Sequence, residues 1–241
     1  MPPLSPSDDL ASALVEVDRR AQLAQWFLKG YLVLLAVSFV SSVLQLLLLQ
    51  DAQNGAFVSE ARATANDTRE LVVAVLTIAG LLANAVVFLR WKWAGYRLMP
   101  SLTGHPTEHK PGWAAGAYFV PILNLFRPYQ IMREMAEEST SSSEALRLDT
   151  EDRTGSLIGV WWGAWVVSGI AERLIMRLTL SASTLDEFIT LTQVNIGIVL
   201  LSAVAGVSAV LVIHRVNERQ QRKGEEVRAG VVDDPLATLV L

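Results

Sequence analysis

Cysteine is absent from this 241-residue chain. Composition therefore excludes disulfides, thiolate-bound metals, iron–sulfur clusters and a cysteine nucleophile. Charge is scarce too: Asp, Glu, Lys and Arg make up 18% of the residues, and the formal net charge is −4. Nucleic-acid binding relies on a clustered basic surface that neutralises phosphates, and neither such a cluster nor a nucleic-acid module is visible. No G-x-S-x-G, P-loop or dinucleotide fingerprint occurs, so hydrolase and nucleotide-driven readings lack support. The amino-terminal residues up to Trp26 are polar and acidic, the wrong order for a cleavable secretory signal. The first apolar run is expected to remain as a signal anchor.

Apolar residues are what the chain has in excess: 51% of the total, with a mean hydropathy of +0.36. Crossing a hydrocarbon layer of about 30 Å takes roughly 20 apolar helical residues. Four runs approach or exceed that length: Gly30 to Leu49, Leu71 to Leu89, Thr154 to Ala171 and Phe188 to Ile213. They predict an all-α integral membrane bundle with spans at about 29–49, 71–89, 155–175 and 190–213, within a membrane domain over 27–218. Residues 1–26 read as a cytoplasmic lead-in, amphipathic through Leu10, Leu14, Val17, Ala21 and Ala24. Residues 139–153 read as a polar, serine-rich linker, and 219–241 as a cytoplasmic tail that starts as a helical continuation of span four from Val216 and becomes disordered near Val227.

Lys and Arg set the expected orientation, because translocating positive charge is disfavoured. The segments after spans one and three carry only Arg62 with Arg69 and Arg173 with Arg177. Those after spans two and four carry Arg90, Lys92, Arg97 and Lys110, and Arg215, Arg219, Arg222, Lys223 and Arg228. Both termini are thus expected on the cytoplasmic side of a cell membrane.

Between spans two and three lies "PGWAAGAYFVPILNLFRPYQ", Pro111 to Gln130, uncharged from Gly112 to Phe126. Basic residues flank it on both sides, so a crossing here would put one set outside. Pro121 removes a backbone donor and pushes Val120 away from helical geometry. Asn124 is placed to cap the break, and Pro128 suits the first turn of a new helix. On a helical wheel Pro128, Tyr129, Ile131, Met132, Met135 and Ala136 share one arc; Gln130, Arg133, Glu134, Glu137 and Glu138 share the other. Segment 111–138 is therefore expected not to cross: a broken interfacial or re-entrant piece followed by an amphipathic helix.

Aromatics mark expected depths. Trp26, Trp91, Trp93, Tyr96 and Trp113 flank the predicted cytoplasmic ends, as interfacial anchors would. Span three holds Trp161, Trp162 and Trp165, with Gly155, Gly159 and Gly163 repeating at four, a bare face that would let a neighbouring helix or a second copy approach closely.

The order Pro-Gly-Trp, Val-Pro-Ile, Asn-Leu, Arg-Pro-Tyr-Gln, Met-Arg-Glu within residues 111–135 resembles the signature of the bacterial membrane family catalogued as domain of unknown function 4328. "FLRWKWAGYR", Phe88 to Arg97, and "WWGAW" in span three extend the resemblance over roughly Phe27 to Glu218. Relatives carry an asparagine soon after the Tyr-Arg pair, where this chain has Leu98 and Met99. The resemblance implies an integral membrane protein with four spans and brings no established activity.

No catalytic, cofactor or metal residues are assigned. His105 and His109 sit four apart around Glu108, but proline and glycine make that segment a loop and no third ligand is evident. His214 reads as an interfacial residue. Gln45, Asn84 and Asn195 read as hydrogen-bonding glue between spans, and no ionisable group stands near the middle of a run, which disfavours an ion path. The candidate functional motif is Trp91, Tyr96, Arg97, Trp113, Pro121, Asn124, Pro128 and Tyr129, expected to form a docking or regulatory surface. Its expected partners are membrane lipid and a protein at the cytoplasmic face, not nucleic acid. A small transporter or channel with a re-entrant segment at Pro121 and Asn124 is the alternative. A lipid-modifying enzyme would rest only on scattered groups such as Glu172 and His109.

Overall fold

The computed structural model describes residues 6–141 and 153–230, which are helical with no strand among them. The serine-rich linker from residue 142 to 152 and the tail beyond residue 230 lie outside the described residues. The helices are α1 (Pro6–Gln53), α2 (Glu60–Thr103), the single turn α3 (Trp113–Gly116), α4 (Arg127–Glu138), α5 (Arg153–Ser181) and α6 (Leu185–Arg228). Short 3-10 turns at Ala117–Phe119 and Leu123–Leu125 join α3 to α4. The fold is all-α, and α1, α2, α5 and α6 are long and apolar enough to cross a membrane.

Local chemistry sets the ends. Gly55 at φ 80° follows α1, and the Ser59 hydroxyl accepts the Arg62 N–H at the start of α2. Gly104 at φ 76° ends α2, its N–H returning to the Pro100 carbonyl at 3.0 Å. A reciprocal capping box opens α6: Thr184 Oγ1 accepts the Glu187 N–H, while Glu187 Oε2 accepts the Thr184 N–H at 3.0 Å.

Two of these helices outrun the sequence expectation. The lead-in and span one are one continuous α1. α2 continues past Leu89 to Thr103. The helical continuation expected from Val216 runs to Arg228, the end of α6. The reason is packing, since Gln220 is wholly buried and Gly224 lies directly against Leu14.

The chain divides into two compact units. The first comprises Met1–Trp26, Ala85–Gly159 and Ala209–Leu241. Its interior is closed around Trp91, Tyr96, Met99, Ile131, Met132 and Met135, none of which is solvent-exposed.

The second unit comprises Phe27–Asn84 and Val160–Ser208. Here α2 approaches α1 at Gly80, where an added Cβ would lie 2.7 Å from Leu34 Cδ1, and α6 approaches α1 at Gly206, 2.8 Å from Leu32 Cδ2. Arg69 Nε donates to Ser41 Oγ at 2.9 Å, and Ser41 Oγ to Glu70 Oε1 at 2.6 Å. Asn195 bridges helices as expected, donating to Ser42 Oγ at 3.2 Å, whereas among the described residues Asn84 bonds to Gly80 of its own helix and leaves Oδ1 unpaired. On α5, Trp162 stacks on Trp165 with ring centroids 4.9 Å apart.

Two expectations change here. An added Cβ at Gly155, Gly159 or Gly163 would meet nothing within 4 Å, so the bare face packs against no described part of this chain. And an ionisable side chain does reach the middle of a run: Ser202 Oγ, midway along the uncharged stretch of α6, donates to Glu172 Oε1 at 3.0 Å.

Candidate functional site

The motif residues fall in the first unit, where α2 supplies the floor. Trp91, Lys92, Tyr96 and Met99 recur at helical spacing and are fully buried. The sequence expectation for Trp91 and Tyr96 as interfacial anchors is therefore corrected: both are interior residues. Trp91 packs against Phe88 at 5.6 Å between centroids, and its indole Nε1 has no hydrogen-bond partner.

Lys92 departs most from expectation. Counted as a topological charge, it has no exposed surface; its Nζ donates to the Pro128 carbonyl at 2.7 Å and to Tyr118 Oη at 3.2 Å, 5.0 Å from the Tyr118 ring centroid. Burial holds the Lys92 ammonium pKa well below the usual lysine value, because a desolvated cation is disfavoured. It likewise pushes the Tyr118 phenol up. Lys92 thus ties α2 to the first turn of α4, where Pro128 sits as expected.

A second tie lies along the same face. Tyr96 Oη donates to Glu134 Oε2 at 2.7 Å and accepts the His109 N–H at 3.0 Å, while Glu134 Oε1 accepts the Glu108 N–H at 2.7 Å. Burial, then the bond to Glu134, drives the Tyr96 phenol pKa up. The His105–His109 segment is a loop, as its prolines and glycines predict, and this network pins it. Arg127 Nη1 lies 2.7 Å from His109 Nε2; a guanidinium can only donate, so that imidazole nitrogen accepts. Among the described residues no group of three or more His, Asp or Glu is placed to hold a metal.

Glu134 was assigned to the polar arc of α4, yet it is buried. It stands roughly 60° from Ile131 at 100° per residue, at the edge of the apolar arc. Glu138 is also drawn inward: Oε2 is buried without a partner, and burial, then the Glu134 charge, raises its pKa. The helix packs on the bundle, with Met135 Cε at 2.9 Å from the position of a Gly95 Cβ and Ala136 O accepting from Arg219 at 3.0 Å. Gln220 Nε2 donates to Gly95 O at 3.1 Å.

Between α3 and α4 the chain makes its break where Pro121 predicts. Val120 is extended at φ −98°, ψ 116°, and Ile122 takes φ 67°, ψ −57° with Leu123 N–H bonded to Pro121 O at 2.7 Å. That is a γ-turn of the strained, positive-φ kind, unusual at a β-branched residue. Asn124 caps neither neighbouring element: its Oδ1 is buried with no partner. Beneath the turn Ala114 and Ala117 are fully buried, while Phe119 is 76% exposed and Ile122 74%, with Leu125, Phe126 and Trp113 also open. Arg97 is exposed with its guanidinium over the Trp93 ring at 5.3 Å, apart from this cluster, and Tyr129 is half-buried.

The structure therefore gathers Trp91, Tyr96 and Pro128 around Lys92, Tyr118 and Glu134, three residues that sequence reasoning missed. Lys92 and Tyr96 are four apart, which puts them on one face of any helix.

A family profile described as Domain of unknown function (DUF4328) matches residues 54–218. The match is narrower than the resemblance over Phe27 to Glu218 and leaves α1 outside. No curated protein and no solved structure matches the chain.

Proposed function

We propose, for a chain that belongs to the family of domain of unknown function 4328, a non-enzymatic integral membrane protein whose break between α3 and α4 is a docking or regulatory surface. In this reading α1, α2, α5 and α6 span a cell membrane with both termini cytoplasmic. The burial of Lys92 removes one charge from the inner side of the count, yet Arg90, Arg97 and Lys110 still leave that side richer than the segment holding Arg62 and Arg69.

One observation carries the docking reading. The segment from Trp113 to Phe126 is anchored from below by Ala114, Ala117 and the Lys92–Tyr118 bond, while its apolar side chains point away from the unit that holds them. A rigid base under an exposed aromatic and aliphatic face suits recognition by a partner. Photo-crosslinking from position 122 in native membranes tests it. Adducts to one protein, lost on Trp113→Ala and Tyr129→Ala, are expected; adducts to lipid alone would overturn docking in favour of simple immersion.

The unpaired Asn124 Oδ1 beside irregular backbone favours a second reading, a small transporter or channel in which the break lines a polar path. Single cysteines at Gly116, Val120 and Asn124, introduced into a chain without native thiols, discriminate. Uniform water access at all three would sink re-entry.

A further inference from the structure

In the unit of Phe27–Asn84 and Val160–Ser208, one carboxyl reaches a depth that its place in the sequence conceals. Glu172 follows the apolar run of α5, which suggests a position at the run's far edge. Its Oε1, however, accepts from Ser202 Oγ at 3.0 Å. Ser202 stands about 21 Å from Phe188 and about 17 Å from Ile213 along α6, at about 1.5 Å per residue. Those two residues bound the longest uncharged run in the chain. The carboxyl therefore lies near the middle of it.

Its neighbours offer little to hold a negative charge. On α1, the run Gly30 to Leu49 contains Tyr31 as its only titratable side chain, near enough to feel the Glu172 charge. The runs Leu71 to Leu89 of α2 and Phe188 to Ile213 of α6 contain none. On α5 itself Arg173, whose charge favours the carboxylate from a distance, and Arg177 follow, but among the described residues Glu172 has no ion pair and no hydrogen bond beyond Ser202. The side chain is exposed at the surface of the unit, so in the spanning reading it faces lipid except where Ser202 meets it. An ionised carboxylate can accept several hydrogen bonds and here has one hydroxyl donor, so at hydrocarbon depth the neutral acid is the favoured form.

We propose that Glu172 and Ser202 form a proton-binding site at mid-depth of this unit, the carboxyl holding its proton at rest and the Ser202 hydroxyl stabilising the carboxylate when the proton leaves. A group that changes charge there is the element a proton-coupled conformational change requires. The inference rests on the membrane-spanning reading above and is independent of docking at Ile122.

The test uses the full chain in membranes washed at alkaline pH, so that only integrally held protein is scored. Dicyclohexylcarbodiimide is apolar and reacts with protonated carboxyls. The acid proton moves to a carbodiimide nitrogen, the carboxylate oxygen bonds to the central carbon, and the O-acylisourea rearranges to a stable N-acylurea. An adduct mapped by mass spectrometry to Glu172, lost in Glu172→Gln, is expected. Its yield should fall about tenfold per pH unit above the midpoint. Ser202→Ala should keep the adduct and move the midpoint up by about one pH unit, because a donor to the charged form is gone. No adduct in the parent chain, equal labelling by a water-soluble carbodiimide, protection by sodium ion, or an unmoved midpoint in Ser202→Ala would overturn the site. Loss of the parent chain in the alkaline wash would overturn the spanning reading beneath it.

Discussion

A methyl group added at Gly95 would sit 2.9 Å from Met135 Cε and 3.1 Å from Gln220 Oε1, whereas one added at Gly163 would meet nothing within 4 Å. The same residue type is a packing requirement at Gly95 of the first unit, as at Gly80 and Gly206 of the second, and an open face at Gly163 of the second. Polar groups divide similarly. The first unit encloses Lys92, Glu134, Arg219 and Gln220 and binds each to backbone or to a neighbouring side chain. The second leaves Leu71, Val75, Ile78 and Leu82 on the outside of α2. An interior that encloses charged side chains and ties them to neighbours, even with Trp91 Nε1 and Gln220 Oε1 left unpaired among the described residues, suits a surface met by water; an apolar exterior is the one lipid permits.

The contrast breaks most readily at Glu134. Glu134→Ala strands the Tyr96 hydroxyl and the Glu108 amide together and should cost about 3 kcal/mol, read as a lowered midpoint of thermal unfolding in detergent and faster proteolysis in loop 104–112. Glu134→Gln, which keeps one acceptor, should lose about 1 kcal/mol. A parent-like melt in the alanine variant would mean that the first unit is not closed. Next, Gly95→Ala should cost about 2 kcal/mol, because two packed side chains must yield.

Lys92→Met bears on the same interior through pH. The folded state binds the Lys92 proton more weakly than the unfolded chain does, so the unfolded chain holds more protons below the usual lysine value. Stability should accordingly rise with pH from the depressed folded pKa up toward about 10.5. Urea unfolding across that range should show the slope in the parent and a flatter profile in Lys92→Met, with a change of about 1 kcal/mol at neutral pH as loss of the Pro128 bond offsets relief of burial. The smallest effect belongs to Gly163→Ala, expected within about 0.5 kcal/mol for the single chain. If that variant instead abolishes self-association measured by cross-linking, the open face belongs to a second copy.

The four long helices, the break at Pro121 and the loop around His105 follow from short-range rules, and short-range rules can be read from sequence; the Thr184 capping box obeys the same kind of rule but was not read there. What escaped depends on long-range partners. Lys92 reads as a surface charge until the Pro128 carbonyl and the Tyr118 hydroxyl, 36 and 26 residues away, close over it. Glu134 reads as solvent-facing until Tyr96 and the Glu108 amide fill the edge of its arc. Asn124 was a reasonable cap by residue type, but the positive φ at Ile122 turns the chain so that neither adjoining element uses it.

The three-residue connection between Ser181 and Leu185 also bears on how the chain reaches its final place. The apolar run of α5, Thr154 to Ala171, is shorter than that of α6, Phe188 to Ile213, so α5 is the poorer candidate for entering lipid unaided. In the membrane-spanning reading proposed above, α5, tied so closely to α6 and with Glu172 meeting the Ser202 hydroxyl, enters as half of a helical hairpin, the more apolar helix carrying in the less apolar one.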